Sequence, residues 1–288
     1  MDKIMFPRTE VEGISLSRMI IGTNWLMGWS HTGPAADKMI CDRNGSREQK
    51  FGVIKAFLAH GIDTIMGPVS QQPALLEAIL YAQEQTGTEM KIVDTPILNM
   101  EDSAEGRREA QAAVKKSAET GSSLCLIHHS SAEKLVNKQT GELQRIDDYT
   151  GMIREAGMVP GLSAHMPELV VYSDAHGYDI QTYIQIYNPM GFMMQVEIET
   201  VAAIINRAKK PVMTIKPMAA GRCTPYVGLN FVWNTIRPCD MVTVGCFSPE
   251  EAYEDIEISR AALEHRFPAI GRRSSPNEAQ AAFGGKEK

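Results

Sequence analysis

One pattern recurs along the whole 288-residue chain: a short apolar run, a loop, and an amphipathic stretch that opens on a proline or capping residue and closes near a glycine. The apolar runs are Arg18–Gly22, Ile62–Gly67, Lys91–Thr95, Leu124–His128, Val159–Ser163, Tyr183–Tyr187, Val212–Lys216 and Met241–Gly245. They are too short for helices and do not alternate, which suits strands buried on both faces. Strands that alternate with helices imply a parallel sheet. Eight such units in about 250 residues imply a closed barrel rather than an open sheet. The expected fold class is therefore α/β, a (β/α)8 TIM barrel forming a single domain over residues 1–288. Residues 1–17, with a turn at Glu12-Gly13, read as a short N-terminal hairpin closing the barrel floor. The stretch from about 268 to 288 reads as a loosely held tail.

The helix signals agree with this frame. Ser46 and Gln49 make a capping box, with a buried stripe of Phe51, Ile54, Phe57 and Leu58 before Gly61. Pro73 and Gly87 bound the next helix, Thr224-Pro225 opens another, and Ser248, Pro249 and Glu251 read as a second capping box. Residues 26–45, with His31 and Gly33-Pro34, read as a long loop over one end of the barrel.

Charge and cysteine usage exclude several classes. The net charge of −6 gives no electrostatic case for nucleic acid. Five scattered cysteines without a CxxC pair suggest reduced thiols and a cytoplasmic protein. No apolar run reaches about 18 residues, so no membrane span is expected. The partner that remains is a small molecule, and the oligomeric state is left open.

Ligands of such barrels sit at the C-terminal ends of the strands. Those ends carry Asp63, Asp94, His128, Ser163, His165 and Lys216, with Trp25 and Trp29 nearby. His128 reads as a general acid or hydrogen-bond donor to a substrate oxygen. His129 should point the other way and be structural. Asp63 could pair with Lys216 across the barrel. Without that pair, burial lowers the lysine pKa and suits a Schiff base. Asp94 could accept a proton, bind a sugar hydroxyl or cap a turn. His31 and the tryptophans could cover a substrate. Asp94, His128 and His165 could also hold a divalent metal, although no HExxH or HxH spacing supports it.

Several stretches, in order, resemble the aldo/keto reductases: Leu16 to Trp25, Gly61-Ile62-Asp63-Thr64, Leu126 to His129, Gly161 to Glu168, Tyr187-Asn188-Pro189, Lys216 to Gly221, and Val244 to Glu251. The resemblance implies a nicotinamide-dependent barrel reductase with a hairpin under the barrel. Asp63 and His128 match two of the family's four catalytic residues. Pro68 stands where its tyrosine falls, and Asp94-Thr95 where its lysine falls. On the cofactor side the resemblance implies Thr23, Asn24, Ser163, Gln185, Gly245 and Ser248. Glu250 and Glu251 would repel a 2′-phosphate, favouring NAD over NADP.

The function expected on this basis is an aldo/keto reductase-like enzyme for a small carbonyl or polyhydroxylated, sugar-like substrate. His128 would polarise the substrate oxygen, Asp63 would orient charge, and Lys216 or Asp94 would move the proton. Two alternatives stand beside it. One is a non-redox lyase or isomerase using Lys216 or a metal with Asp94 and His128. The other is a catalytically silent barrel that binds a ligand.

Overall fold

The computed structural model describes residues 5–270. The expected tail therefore lies, from residue 271 onward, outside the described residues.

The chain begins with an antiparallel hairpin, β1 (Arg8–Val11) and β2 (Ile14–Ser17), which runs directly into β3 (Met19–Gly22). The barrel continues with β4 (Thr64–Gly67), β5 (Lys91–Asp94) and β6 (Leu124–Ile127). A two-residue ladder, β7 (Val136–Asn137) with β8 (Glu142–Leu143), interrupts the next crossover. Then follow β9 (Val159–Ala164), β10 (Tyr183–Ile186), β11 (Val212–Ile215) and β12 (Met241–Val244). The parallel barrel runs β3-β4-β5-β6-β9-β10-β11-β12 and closes where β12 pairs with β3. The eightfold expectation thus holds, and each strand lies within the apolar run that marks it, except that β9 extends one residue further, to Ala164.

Alternate residues of each strand point to opposite sides of the wall. Ile20, Met66, Val93, Leu124, Leu126, Ile184, Met213 and Met241 form the inner cluster. Ile21, Ile65, Ile92, Cys125, Tyr183, Val242 and Val244 face the helices. Both sets are apolar, so no period of two was visible in the sequence.

The helices are α1 (Pro34–Arg43), α2 (Arg47–Leu58), α3 (Pro73–Thr86), α4 (Ala104–Glu119), α5 (His129–Ala132), α6 (Ile146–Glu155), α7 (Glu168–His176), α8 (Ile198–Arg207), α9 (Pro225–Thr235) and α10 (Pro249–Leu263). The capping box of α2 is present as expected. In α10, Ser248 caps through Glu251 N–H, but the Glu251 carboxylate accepts from Phe247 N–H rather than from Ser248. The loop expected at 26–45 is corrected, because its second half is α1. Pro34 at the first position and Asp37 in the first turn support that helix, but only Ile40 is buried. With one buried residue there was no apolar stripe to read.

The hairpin closes the floor. Val11 and Leu16 are buried with the inner cluster. Ser17 N–H donates to Thr64 Oγ1 at 2.9 Å, and Thr9 Oγ1 donates to the Cys239 carbonyl at 3.0 Å. Arg8 Nη1 donates to both carboxylate oxygens of Asp63 at 3.0 Å. Asp63 precedes β4, so it lies at the N-terminal end of the barrel and not at the mouth. This corrects both its expected catalytic position and its pairing with Lys216.

Replacing Asp63 by Asn should therefore destabilise the fold by about 1 kcal/mol, as removal of a partly exposed charge-assisted pair does. Urea denaturation measures that loss. Ligand binding and any turnover should be unchanged.

Candidate active site

A cavity of about 740 Å3 opens at the C-terminal ends of the strands. Its inner side is built of imidazoles, one lysine and hydroxyls. The end of β6 delivers His128, whose Nδ1 accepts from Ser130 N–H at 3.3 Å and lies 2.8 Å from Ser130 Oγ. With Nδ1 accepting, the proton of the neutral ring sits on Nε2. Burial, and then the neighbouring His129, push the His128 pKa down to about 4.

His129 was expected to turn away, and here the expectation is corrected. The chain leaves extended geometry at His128 and enters α5, so strand alternation no longer sets the direction of the next side chain. The His129 ring lies 4.3 Å from that of His128 and stacks on His165 at 3.6 Å between centroids, with planes 15° apart. All three line the cavity. Burial first, then His129 and Lys216, push His165 down to about 3. Glu133 accepts the backbone N–H groups of His165 and Met166 at 3.0 and 3.1 Å and thereby fixes that turn.

Lys216 follows β11 and lines the cavity. Burial lowers its pKa to about 8. Its Nζ donates to His31 Nε2 at 3.1 Å, and Asn24 Nδ2 stands 3.2 Å from the same nitrogen. An ammonium can only donate, so His31 Nε2 is the acceptor and the ring is neutral. Burial and Lys216 lower the His31 pKa in the same sense. His31 and Lys216 both adopt left-handed backbone, at φ 56° and 59°, as do Ala219 and Ala220 at 51° and 54°. Such conformations are costly for residues with a Cβ, and they concentrate at sites where geometry is imposed.

Sequence reasoning treated His31 as cover and missed this contact. The available signal was the Gly33-Pro34 helix start just after it, which anchors the loop end. Asp37 strengthens the anchor by accepting Ser30 N–H and O–H at 2.9 and 2.6 Å.

The structure places the remaining expected residues unevenly. Thr23, Asn24, Ser163 and Gly245 line the cavity. Thr23 Oγ1 and Thr243 Oγ1 are buried without a partner among the described residues. A Cβ on Gly67 would fall 1.9 Å from Thr23 Oγ1, so only glycine fits that strand end. Asp94 does not reach the mouth. Val93 points inward, so Asp94 faces the helix layer, fully buried, with Oδ1 accepting from Ser70 N–H at 3.1 Å. Gln185 is likewise outside the cavity because its neighbour Ile184 points in. Ser248 is spent as the α10 cap. The suggested metal set is not assembled, since Asp94 is on the other side of the wall. Among the described residues no group of three or more His, Cys, Asp or Glu could hold a metal ion.

Glu251, Glu254 and Asp255 of α10 line the far side. Burial raises Asp255 to about 7, and Cys246 Sγ donates to its Oδ2 at 3.3 Å. A dinucleotide fits this arrangement poorly. Carboxylates line the side where the resemblance puts the cofactor phosphate, and two of the six expected contacts, Gln185 and Ser248, point elsewhere. Among the described residues no tyrosine lines the cavity.

No family model and no curated protein matches this sequence. Solved structures do. A provisionally assigned aldo-keto reductase from Pseudomonas aeruginosa superposes with a TM-score of 0.62 at 15% identity, over 91% of this chain and 98% of that one. An aldo-keto reductase from Klebsiella pneumoniae, solved in complex with NADPH, gives 0.55 at 13% identity, over 98% and 94%. The likeness is one of fold. A type I 3-dehydroquinate dehydratase from Clostridium difficile, with covalently modified comenic acid, gives 0.50 at 10% identity, over 93% and 100%. The barrel is thus shared with reductases and with a dehydratase, and the side chains at the mouth must decide the chemistry.

Lys216 should react with an amine-acylating reagent with an apparent pKa near 8, against about 10.4 for ordinary lysines. Peptide mass spectrometry after labelling across a pH series reads this. A midpoint above 10 at Lys216 would contradict the assigned burial.

Proposed function

We propose that this protein is an enzyme of aldo-keto reductase-like architecture that acts on a small carbonyl compound through Lys216. The observation that carries the reading is the Lys216 Nζ to His31 Nε2 contact of 3.1 Å inside the cavity. A lysine becomes a nucleophile only as the free amine. Here burial has already lowered its pKa, and a neutral imidazole is positioned to take the proton.

The amine attacks the carbonyl carbon, a C–N bond forms, and the carbinolamine loses water to give an imine. The proton given up by Lys216 leaves through His31, which is exposed to solvent. The protonated imine then withdraws electrons from the adjacent carbon. His128 or His165, both neutral near pH 7, can accept the proton released there. The product class is that of a lyase or isomerase.

A second reading keeps Lys216 protonated as the acid that donates to a carbonyl being reduced. The fold shared with the NADPH-bound Klebsiella protein favours it. In that reading the carboxylates of α10 favour NAD over NADP.

Borohydride with a carbonyl substrate should fix a secondary amine at Lys216, visible as a mass adduct that Lys216→Met abolishes. Absence of an adduct, together with saturable NADH or NADPH fluorescence titration, would overturn the imine reading in favour of the reductive one. The pH profile separates them again. Activity through the free amine rises as pH passes about 8, whereas activity through the ammonium falls there.

His128→Ala should abolish turnover, as lost kcat with the far-UV spectrum and melting temperature retained. Persistent activity would remove His128 from the chemistry.

A further inference from the structure

From the same cavity we infer that the carbonyl substrate also carries an oxyanion, held against the His128, His129 and His165 imidazoles, and that its binding takes up a proton. The inference deepens the reading of the cavity as a carbonyl site, but it concerns binding alone.

The geometry is specific. Three rings are packed together on the wall formed by β6 and β9, His128 tilted against His129 at 4.3 Å between centroids and His129 stacked face to face on His165 at 3.6 Å. The only hydrogen bond of His165 among the described residues is that of its backbone N–H, so its ring nitrogens are left to the cavity. His128 turns Nε2–H the same way because Nδ1 is occupied by Ser130. Across the barrel, at the ends of β3 and β12, Thr23 and Thr243 carry buried hydroxyls without a partner among the described residues. A buried polar group without a partner is costly, and ligand-facing groups are where that cost is tolerated.

The groups facing His165 account for its protonation state from every side. His129 and His128 stand on the α5 and β6 side, Lys216 follows β11, and His31 reaches in from the loop before α1. Each is cationic or can become so, and each opposes a charge on His165. Glu133 accepts backbone N–H groups beside it and lies 3.9 Å from His129 Nδ1. The carboxylates lining the cavity, Glu251, Glu254 and Asp255, belong to α10 after β12, four strands from β6 around the barrel. The free site therefore holds neutral imidazoles around the Lys216 ammonium, with the Arg222 guanidinium also lining the cavity. An oxyanion placed among them reverses the sign of the local potential. It raises the pKa values of the imidazoles and of Lys216 alike, and draws a proton onto one of these groups. By linkage, the same proton strengthens the anion's binding.

A neutral sugar would hydrogen-bond to the hydroxyls and the rings but would gain no charge attraction from Lys216 or from a protonated ring. A carboxylate or a phosphate would gain both. A substrate such as an oxo acid or a phosphorylated carbonyl compound satisfies the site, with its carbonyl at Lys216.

Isothermal titration calorimetry tests this without turnover, so it can fail while the carbonyl reading stands, and the reverse. The probes are malonate, inorganic phosphate and the neutral analogue malonamide, titrated at pH 6 and pH 8 in two cationic buffers of different ionisation heat. At least one anion should bind, with proton uptake seen as a buffer-dependent enthalpy, and malonamide should not. Affinity should fall by about tenfold per pH unit for one proton taken up. Whichever of malonate and phosphate binds more tightly identifies the anion. His165→Gln should reduce the proton uptake, and the wild-type buffer dependence remains decisive if that variant does not fold. Three results would each overturn the inference: no binding of either anion at millimolar concentration, equal binding of malonamide, or binding whose enthalpy is independent of buffer.

Discussion

The mouth of this barrel is organised around one desolvated ammonium. Among the described residues Lys216 has no carboxylate partner, and its contact is to a neutral imidazole. Burying a cation without a counter-charge is unfavourable, and the usual outcome is a lowered pKa. The rest of the inner cavity is consistent with that charge. His31, His129 and His165 all have lowered pKa values with Lys216 among the causes, so the ammonium helps keep its surroundings neutral. Neutral imidazoles can accept protons, which is what an amine must lose to attack and what a carbon acid must lose to react.

Holding that lysine requires backbone that ordinary loops avoid. Left-handed conformations at Lys216, Ala219 and Ala220 turn the chain over the mouth directly after β11, and His31 is left-handed on the opposing loop. Such strain persists only where the surroundings over-determine it. Here the anchors are the closed barrel beneath, α1 with its Ser30–Asp37 contacts, and the α9 cap at Thr224. Stability and chemistry are thus separated along the barrel axis. The floor carries Val11, Leu16 and the Arg8–Asp63 pair, whereas the mouth carries left-handed His31, Lys216, Ala219 and Ala220 and the unpartnered hydroxyls of Thr23 and Thr243.

The α10 side of the cavity is chemically unlike the imidazole side. Half-buried Glu251 and buried Asp255 have raised pKa values, chiefly through desolvation, and Cys246 Sγ donates to Asp255. A cavity with imidazoles on the β6–β9 wall, carboxyls on α10 and the Lys216 ammonium after β11 between them has a built-in polarity. It does not offer a second anionic group, such as a dinucleotide phosphate, a favourable place on the α10 wall.

The sequence by itself determined the barrel. Eight apolar runs separated by capped helices admit few other arrangements, and Ser46, Pro73, Thr224-Pro225 and Ser248 marked helix starts through local hydrogen bonding and fixed φ, which need no tertiary partner. It also determined that His128 and Lys216 reach the mouth, because each sits at the end of its run. Only the tertiary structure decided which way the neighbouring polar residues face. In a strand apolar on both sides, a shift of one residue changes inside to outside and leaves no trace in composition, so Asp94 and Gln185 were misplaced to the cavity. Asp63 is a different case: it stands second in the run Ile62–Gly67, so the sequence already placed it near the N-terminal end of its strand, at the floor. The His31–Lys216 contact joins residues 185 positions apart. No local pattern encodes it, because it arises only when the barrel closes and sets the two loops side by side.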